Sequence, residues 1–277
     1  SNTTIDPIQL SKILRKLKKQ KINNVIMEAS SHGLSQNRLD GLFFNTGIFT
    51  NLSQDHLDYH KNIKNYLKAK LYLFEKLIKK NGNIITDEKI PEFKKIRNIA
   101  LNKNLNLFSL LDKNKNFQFL SHQFEDEAQL LEIKYNNSIY KIKLNLIGKV
   151  QLKNVLMAII ASIKSNINIK EIFNVIPRIK SVEGRFEKVG RVKNKSKVIL
   201  DYAHTPDALK TCLINLKEQF QGKKISLLFG CGGNRDQNKR SKMGKIASTY
   251  SDNIILTNDN PRFESPEKIR KDIKKGI

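Results

Sequence analysis

The chain has 277 residues, enough for about two domains with cores of their own. Its formal net charge is +25, but the excess is mostly lysine spread along the whole length, without the RNA-binding or zinc-finger signatures of nucleic-acid-binding proteins. No apolar run approaches the roughly 18 residues that span a bilayer, and the 2 cysteines are too few for a disulfide framework. We therefore expect a cytoplasmic protein that binds anionic small molecules, with no nucleic-acid partner and no membrane span.

Segments typical of helices and strands alternate along the chain, which favours an α/β fold. In the first part, Asp6 and Pro7 are suited to start a helix, and Asn81 and Gly82 are suited to end one. The elements predicted in this part are helices over residues 6–20 and 64–80 and strands over residues 24–29, 47–52 and 83–87.

The pattern changes to short strands with turns between residues 96 and 146, including a hairpin turn at residues 135–139. A second α/β unit follows a boundary at residues 178–184, and Thr205 caps its first helix. The other elements predicted in the rest of the chain are helices over residues 152–163, 169–176 and 240–250 and strands over residues 197–203, 224–229 and 253–257.

Lys70 has an unusual place on the helix predicted over residues 64–80. On a helical wheel of about 100° per residue it lies in the middle of the apolar stripe, whereas Lys64, Lys68 and Lys76 lie outside it. An unpaired buried ammonium is costly, so such a lysine is usually paired, neutralised or used chemically. The alternative is a lysine whose stem covers apolar surface while its amine reaches water. The stripe consists of Tyr66, Leu67, Leu71, Leu73, Phe74 and Leu77.

Three sets of polar side chains follow predicted strands directly, at the sheet edge where open α/β sheets bind ligands. Because the sets share that edge, we expect a site there, with Glu28 and His56 as candidate ligands of Mg²⁺. A loop or helix-capping carboxylate is the alternative for Glu28, and an ordinary loop histidine is the alternative for His56 and His60. The three sets are Glu28 with Ser30, Ser31 and His32; Asn51 with Asp55 and His56; and Asp201 with His204.

A glycine-rich turn at residues 230–233 connects a predicted strand to a predicted helix, as a phosphate-binding turn would. It is not a GxGxxG motif, so a tight turn is an equally good interpretation, and Cys231 is most simply a small buried residue. The sequence has no GxxxxGK[ST] motif and cannot by itself hold a nucleotide γ-phosphate in the P-loop manner. A serine nucleophile at Ser30 or Ser31 is disfavoured because no elbow motif surrounds it.

A series of motifs resembles the Mur ligase family, in the order found in that family. They best match the Mur ligases that add the third residue of the peptidoglycan stem peptide, and the resemblance extends from about Asn2 to the last residue. DYAHTPDAL, GCGGNRD and DNPR are its most specific parts. The motifs are EASSHGLSQNRLDG, TNLSQDHLDYH, NYLKAKLYLF, GRFEKV, DYAHTPDAL, FGCGGNRDQNKRSKMG and NDNPR.

The resemblance implies a ligase that uses ATP and Mg²⁺ to join UDP-MurNAc-L-Ala-D-Glu to a diamino acid through an acyl phosphate and a tetrahedral intermediate. Both steps build negative charge, which metal ions and cationic side chains stabilise. DNPR is the form associated with meso-diaminopimelate rather than lysine, since Arg262 would form a charge-assisted pair with the distal carboxylate. The resemblance also implies that Lys70 is carbamylated, which turns a buried cation into an anion that can hold a second Mg²⁺.

The resemblance assigns roles position by position, with two departures: Gln151 stands where the family usually has Asn, and Glu183 where Pro commonly precedes Gly-Arg. These departures concern the adenine pocket. The implied roles are catalysis and metal binding for Glu28, His56 and carbamylated Lys70; catalysis also for His204; UDP-MurNAc-dipeptide binding for Asn2, Thr3, Thr4, Ser30, Gln36 and Arg38; ATP binding for Asn154, Arg185, Asp201 and His204; and diamino-acid binding for Arg235, Asp259, Asn260, Pro261 and Arg262.

The implied architecture is a partial P-loop-type central ATPase domain over residues 1–180, followed by a partial Rossmann-like domain over residues 181–277. Because the chain starts without methionine and ends inside a predicted helix, we expect a piece that lacks an N-terminal domain, the P-loop and a C-terminal end. We also expect a monomer. Such a piece should have no ligase activity by itself. The open alternatives are a lysine-adding Mur ligase, a folylpolyglutamate synthase-like ligase and, more remotely, a basic nucleic-acid-binding module.

Overall fold

The structure, a computed structural model, describes residues 3–53, 55–112, 116–194 and 196–277. Within these ranges, none of the helices combines the length and the apolar character needed to cross a membrane. The predicted domain boundary at residues 180 and 181 stays a prediction. By their internal contacts the residues form two compact units: Ser1–Phe119, Lys134–Ser138 and Lys153–Phe173 in the first, and Leu120–Ile133, Ile139–Leu152 and Asn174–Ile277 in the second.

A parallel sheet in the order β1-β2-β3 is at the centre of the first unit. β1 (Phe44–Phe49) pairs with β2 (Ile78–Thr86), and β3 (Asn106–Ser109) pairs with the other side of β2. The last β1–β2 pair joins Phe49 to Thr86, whose hydroxyl donates to the Phe49 carbonyl at 2.8 Å. The carboxyl ends of β1 and β2 therefore meet at one edge, which is where the segment after β1 leaves the sheet.

Apolar side chains of the helices over residues 7–19, 31–35, 63–72 and 93–102 pack with the sheet. α1 begins as predicted, because the Asp6 carboxylate accepts hydrogen bonds from the backbone N–H groups of Ile8 and Gln9 at 3.0 Å each. Leu10 of α1 and Phe74 pack in one buried cluster with the sheet. The helices are α1 (Pro7–Lys19), α2 (Ser31–Ser35), α3 (Leu57–His60), α4 (Ile63–Tyr72) with a π-helical turn (Leu73–Leu77), α5 (Phe93–Asn102), α6 (Lys149–Lys164) and α7 (Ile169–Val175).

Several elements predicted in the first part are corrected by the structure. Residues 24–29 form no strand, because no neighbouring segment among the described residues pairs with them, and Ile26 is 99% exposed. The strand predicted over residues 47–52 is β1, which ends at Phe49 where its pairing with β2 ends. The helix predicted to residue 80 ends at Leu77, because Ile78 already pairs with Phe44 in β2.

The stretch that follows β2 also differs from its prediction. Short strands were expected from residue 96, but residues 96–102 belong to α5, which buries Ile96 and Ala100 on one face and exposes Leu101. The buried residues are spaced as on a helix. The sequence does not show this spacing clearly because polar residues stand between the apolar ones. The predicted hairpin turn at residues 135–139 is confirmed, with Asn136 in the left-handed region.

Among the described residues, three small sheets lie wholly or mostly in the second unit: β4-β5-β6, antiparallel β7-β8 and parallel β9-β10. Thr205 caps α8 as predicted, since its hydroxyl accepts the Ala208 N–H at 3.3 Å. The predicted strand over residues 197–203 is shorter, because pairing with β7 ends at Leu200. The elements are β4 (Phe117–Glu125), β5 (Ala128–Tyr135), β6 (Ser138–Leu144), a 3-10 turn (Ile176–Arg178), β7 (Glu187–Arg191), β8 (Lys197–Leu200), α8 (Pro206–Gln219), β9 (Ser226–Phe229), α9 (Asn238–Tyr250), β10 (Asn253–Leu256) and α10 (Pro266–Lys274).

The predicted α/β class, with parallel sheets and a small β-rich part, is confirmed by this order of elements. In the second unit α9 and α10 pack on an apolar cluster that includes Leu213, Met243 and Ile273. The parallel pair β9-β10 brings the loops after Phe229 and Leu256 to the same edge.

A substitution at Gly244 tests the packing of α9 against α10. A Cβ at this position would lie 2.1 Å from the Ile273 carbonyl oxygen. Replacing glycine by alanine inside a helix usually stabilises it by about 1 kcal/mol, but we expect Gly244→Ala to lower the free energy of unfolding by about 1–3 kcal/mol because the helices must separate. Urea unfolding measures this, with Ser248→Ala on the exposed face of α9 as the control. Equal stability of the two variants would contradict the packing.

Candidate active site

A cleft of about 490 Å³ opens on the first unit. It brings together residues from the first two of the three polar sets, which lie far apart in sequence. The predicted catalytic and metal-binding residues Glu28, His56 and Lys70 all line it. The lining residues are Thr3, Glu28, Ala29, Ser30, Ser31, His32, Gln36, Arg38, His56, Tyr66 and Lys70. Asn2, which was assigned to the same substrate, lies outside the described residues.

One wall of the cleft is held in place by Thr4, which is 2% exposed. Its hydroxyl donates to the Glu28 carbonyl and accepts the Ser30 N–H, both at 2.9 Å. Arg38 donates to the Thr4 carbonyl at 2.6 Å. Gly33 in α2 approaches so closely that a Cβ there would be 2.7 Å from the Thr4 side chain. Thr4 therefore positions the wall, and the cleft-facing members of the predicted substrate set are Thr3, Ser30, Gln36 and Arg38.

Lys70 lies on the buried stripe of α4, and its amine is directed into the cleft. The Nζ atom donates to the Asn51 carbonyl at 2.6 Å and lies 4.9 Å from the centre of the Phe49 ring and 5.6 Å from that of Tyr66. Burial lowers the pKa of Lys70, and the negative charges of Glu92 and Glu28 oppose this only in part. The amine is thus held among aromatic rings and a carbonyl rather than extended into bulk water, and its burial lowers its pKa below the usual range.

Histidine and tyrosine rings form the other wall of the cleft. His56 has left-handed backbone dihedrals, with φ at 54°, and its ring meets that of His32 edge-on at 5.0 Å. His60 is buried, its Nε2 lies 2.9 Å from the Ser31 hydroxyl, and its ring stacks on that of Tyr66 at 5.0 Å. The sequence left an ordinary loop histidine as an open alternative at position 60 and assigned His60 no role. The one signal that could have marked it is its spacing of six residues from Tyr66, across the start of α4.

The donor set of the cleft suits a hard cation in part. No group of three or more histidine, cysteine or acidic side chains is arranged for a metal within the described parts of the chain. Glu28 and His56 supply one carboxylate and one imidazole at the cleft, and Lys70 as an amine is not a ligand that Mg²⁺ prefers. Carbamylated Lys70 would add the missing oxygen ligands, so the residues present fit Mg²⁺ only with that modification.

The third polar set lies in the second unit, after β8. Asp201 accepts the N–H groups of Phe186 and Ala203 at 3.0 Å each, and burial raises the pKa of its carboxyl group. The Arg185 guanidinium lies over the Tyr202 ring at 4.8 Å. His204 is exposed, with Nδ1 3.0 Å from the Tyr202 carbonyl. The predicted nucleotide residues Arg185, Asp201 and His204 are thus near one another, whereas Asn154 lies exposed on α6 in the first unit.

Two loops at the edge of the β9-β10 sheet carry the residues predicted to bind the diamino acid. The glycine loop (residues 230–237) follows β9, and the proline loop (residues 257–264) follows β10. The Gly233 N–H donates to the Asn260 carbonyl at 2.9 Å, and Arg262 donates to the Gly233 carbonyl at 2.6 Å. The loops therefore bring Asp259, Asn260, Pro261 and Arg262 beside the loop that carries Arg235. All five residues stay predicted ligand contacts.

Comparison with known proteins shows which family the chain resembles. A family model described as the Mur ligase middle domain matches residues 1–162, and one described as the Mur ligase glutamate ligase domain matches residues 184–277. The UDP-N-acetylmuramoyl-L-alanyl-D-glutamate--2,6-diaminopimelate ligase of Rickettsia bellii (strain RML369-C) is 41% identical over 276 residues, which are 99% of this chain and 57% of the relative. The enzyme of the same name from Fusobacterium nucleatum subsp. nucleatum is 42% identical over 277 residues, 100% of this chain and 56% of the relative.

Solved structures show the same similarity. One of a UDP-N-acetylmuramoyl-L-alanyl-D-glutamate--2,6-diaminopimelate ligase has a TM-score of 0.68 and 29% identity, and the match covers 99% of this chain and 56% of that one. A folylpolyglutamate synthase of Mycobacterium tuberculosis complexed with ADP and AMPPCP has a TM-score of 0.65 at 17% identity, over 84% of this chain and 52% of that one. The second likeness concerns the fold alone. The chain spans a little more than half of the relatives that it matches.

The pKa of the Lys70 amine can be compared with that of an exposed lysine by competitive acetylation with acetic anhydride across a pH series. Only the neutral amine reacts, so a lowered pKa moves the rise in reactivity to lower pH. We expect Lys70 to reach half of its maximal rate at a lower pH than Lys68, which is exposed on the same helix. Mass spectrometry of the two peptides gives both profiles from one sample. Superimposable profiles would show that the cleft does not favour the neutral amine.

Proposed function

The chain belongs to the Mur ligase family, and we propose that the protein containing it adds meso-diaminopimelate to UDP-MurNAc-L-Ala-D-Glu with ATP and Mg²⁺. The observation that carries the proposal is the single cleft that joins Glu28, His56 and Lys70. The relatives named for this reaction support the choice of substrates. We further propose that residues 1–180 form the central ATP-binding domain and residues 181–277 the domain that receives the diamino acid.

We assign the metal site to Glu28, His56 and carbamylated Lys70. Carbamylation joins the neutral amine nitrogen to the carbon of CO₂ with loss of one proton, which leaves an anionic carbamate. Burial prepares Lys70 for this step because it favours the neutral, nucleophilic amine. Bound Mg²⁺ would stabilise the negative charge of the phosphates and of the acyl phosphate. His56, with its strained backbone and its contact to His32, is held in place before any ligand binds.

The cleft also offers groups that can orient an anionic substrate. Arg38 is anchored by its bond to Thr4 and places a fixed positive charge on the cleft wall. Ser30 and Gln36 add neutral hydrogen-bonding groups beside it. In this arrangement the D-Glu carboxylate would be held near the proposed metal ligands, and its oxygen would attack the γ-phosphorus of ATP with ADP as the leaving group.

We propose that ATP contacts Asn154, Arg185, Asp201 and His204, and that the diamino acid is bound by Arg235 and the proline loop. The Arg262 side chain would pair with the carboxylate of meso-diaminopimelate that lysine lacks. The amine of meso-diaminopimelate would then displace phosphate from the acyl phosphate through a tetrahedral intermediate and form the amide. This cationic pocket would favour meso-diaminopimelate over lysine, because the two substrates differ by one carboxylate.

The proposed function is tested by offering meso-diaminopimelate and lysine separately to the purified full-length protein with UDP-MurNAc-L-Ala-D-Glu, ATP and Mg²⁺. We expect amide formation with a kcat/KM for diaminopimelate roughly 10–100-fold above that for lysine, since one charged hydrogen-bonded pair separates them. Arg262→Ala should remove most of this ratio by lowering kcat/KM for diaminopimelate far more than that for lysine. A preference for lysine would refute the pocket, and no amide with either substrate would refute the function.

The metal assignment predicts a specific defect in Glu28→Gln. This change keeps the size of the side chain but removes the charge, so kcat should fall roughly 10²–10³-fold and the Mg²⁺ concentration for half-maximal rate should rise. Asp40→Asn is the matched control, because it removes one carboxylate from the same unit outside the cleft lining. Initial rates across a Mg²⁺ series measure both variants. A Glu28→Gln curve that overlays the Asp40→Asn curve would exclude Glu28 as a ligand.

A further inference from the structure

Among the described residues of the second unit, Arg240 is the most deeply buried charged side chain, with a relative exposure of 0%. Its guanidinium forms a bidentate pair with Glu264, with N–O distances of 3.0 and 2.9 Å, and Nη1 lies 3.2 Å from Asp272. The hydrogen bonds from Arg240 lower the pKa of the Glu264 carboxyl group, and the bond from Lys275, followed by that from Arg240, lowers the pKa of Asp272. An arginine that is buried so completely must keep its partners, because a lost partner would leave an uncompensated charge in the interior.

Glu264 connects the two loops that carry the proposed diamino-acid contacts. It lies in the proline loop and accepts the Asn234 N–H and a weaker bond from the Gln237 side chain, both from the glycine loop. In return, Asn234 accepts the Phe263 N–H at 3.0 Å. Each loop therefore supplies hydrogen-bonding groups to the other, and the Arg240–Glu264 pair ties both to α9.

The contact between the loops leaves no room for adjustment. Gly233 is buried against Pro261, and a Cβ at position 233 would lie 1.8 Å from the Pro261 carbonyl oxygen. Asn234 and Arg262 both have left-handed dihedrals, with φ at 49° and 50°. Asparagine adopts such dihedrals readily, but arginine rarely does, so the conformation of Arg262 indicates that its surroundings fix it. The glycine-rich turn thus has a structural cause, which is the close approach of the proline loop.

From this geometry we infer that Arg240 and Glu264 are positioning residues for the diamino acid: their buried pair fixes Arg235 and the proline loop as one preformed pocket. The inference rests on the proposed function. Neither residue touches the substrate in this account. They act by holding the pocket in its binding conformation, so that ordering of the loops is not a cost of binding.

The experiment measures separate KM values for diaminopimelate, ATP and UDP-MurNAc-L-Ala-D-Glu, together with kcat, in the full-length protein. In Glu264→Gln the KM for diaminopimelate should rise roughly tenfold to a hundredfold, since side chains that were fixed must now be ordered by the ligand. The other two KM values should stay within about twofold, because their proposed contacts lie in other loops. Arg240→Lys keeps one charge but not the bidentate geometry and should fall between the parent and Glu264→Gln.

Asp272→Asn is the matched control. Asp272 contacts Arg240 and Lys275 but neither loop, so this variant should lose stability without a change in the KM for diaminopimelate. KM does not depend on the fraction of folded enzyme, so partly unfolded preparations still report on the pocket. Asn234→Gly, which removes the acceptor for Phe263 from an exposed residue, tests the same loops with the buried pair intact and should raise the KM several-fold.

The results of these measurements distinguish a failure of the proposed function from a failure of the inference about Arg240 and Glu264. If the unmodified protein forms no amide, the proposed function fails and the inference fails with it. If the unmodified protein is active but Glu264→Gln and Asn234→Gly change only kcat, or raise all three KM values alike, the pair has only a structural role and the inference is wrong.

Discussion

Each unit buries a basic side chain, and each must compensate for the hydration free energy that this side chain loses. This requirement is the constraint on which both units depend. Arg240 meets it by pairing: two carboxylates surround its guanidinium, and the loops beside them are fixed as a result. Lys70 meets it in the opposite way, since no carboxylate pairs with its amine among the described residues, and a carbonyl and two aromatic rings surround it instead. The first solution gives rigidity, and the second gives an amine whose pKa is lowered by burial.

The cleft around Lys70 follows from local chemistry at the ends of short elements. Asn62 caps α4, which fixes the register that directs Lys70 inward. Ser30 caps α2 by accepting the Gly33 N–H, and Thr4 fixes the segment before it. His60 then connects the two helices, because it contacts Ser31 on one and stacks on Tyr66 of the other. The site is therefore built by caps and buried polar contacts rather than by the sheet alone.

The sequence predicted the parts of this arrangement that depend on short-range patterns. The apolar stripe around Lys70 and the caps at Asp6 and Thr205 are of this kind, because spacing and capping chemistry act within a few residues. The strand over residues 24–29 was wrong because a strand needs a partner that its own sequence does not specify. Arg240 was missed for a related reason: its pairing with Glu264 and Asp272 joins residues 24 and 32 positions away, and no local pattern marks it.

Because the chain is rich in lysine, positive charge alone does not distinguish the basic residues of the proposed sites from the others. Their burial does. With 51 Lys and Arg residues against 26 Asp and Glu residues, about half of the positive side chains have no acidic partner of their own, and for those on the surface the free energy of an ion pair is small in any case. A basic residue survives in the interior of such a chain only if its surroundings compensate for the lost hydration. Lys70 and Arg240 satisfy this condition by different means, and each lies beside the residues that the Mur ligase motifs assign to binding or catalysis. The net charge of +25 therefore reflects composition, whereas the environments of these two cations reflect the proposed chemistry.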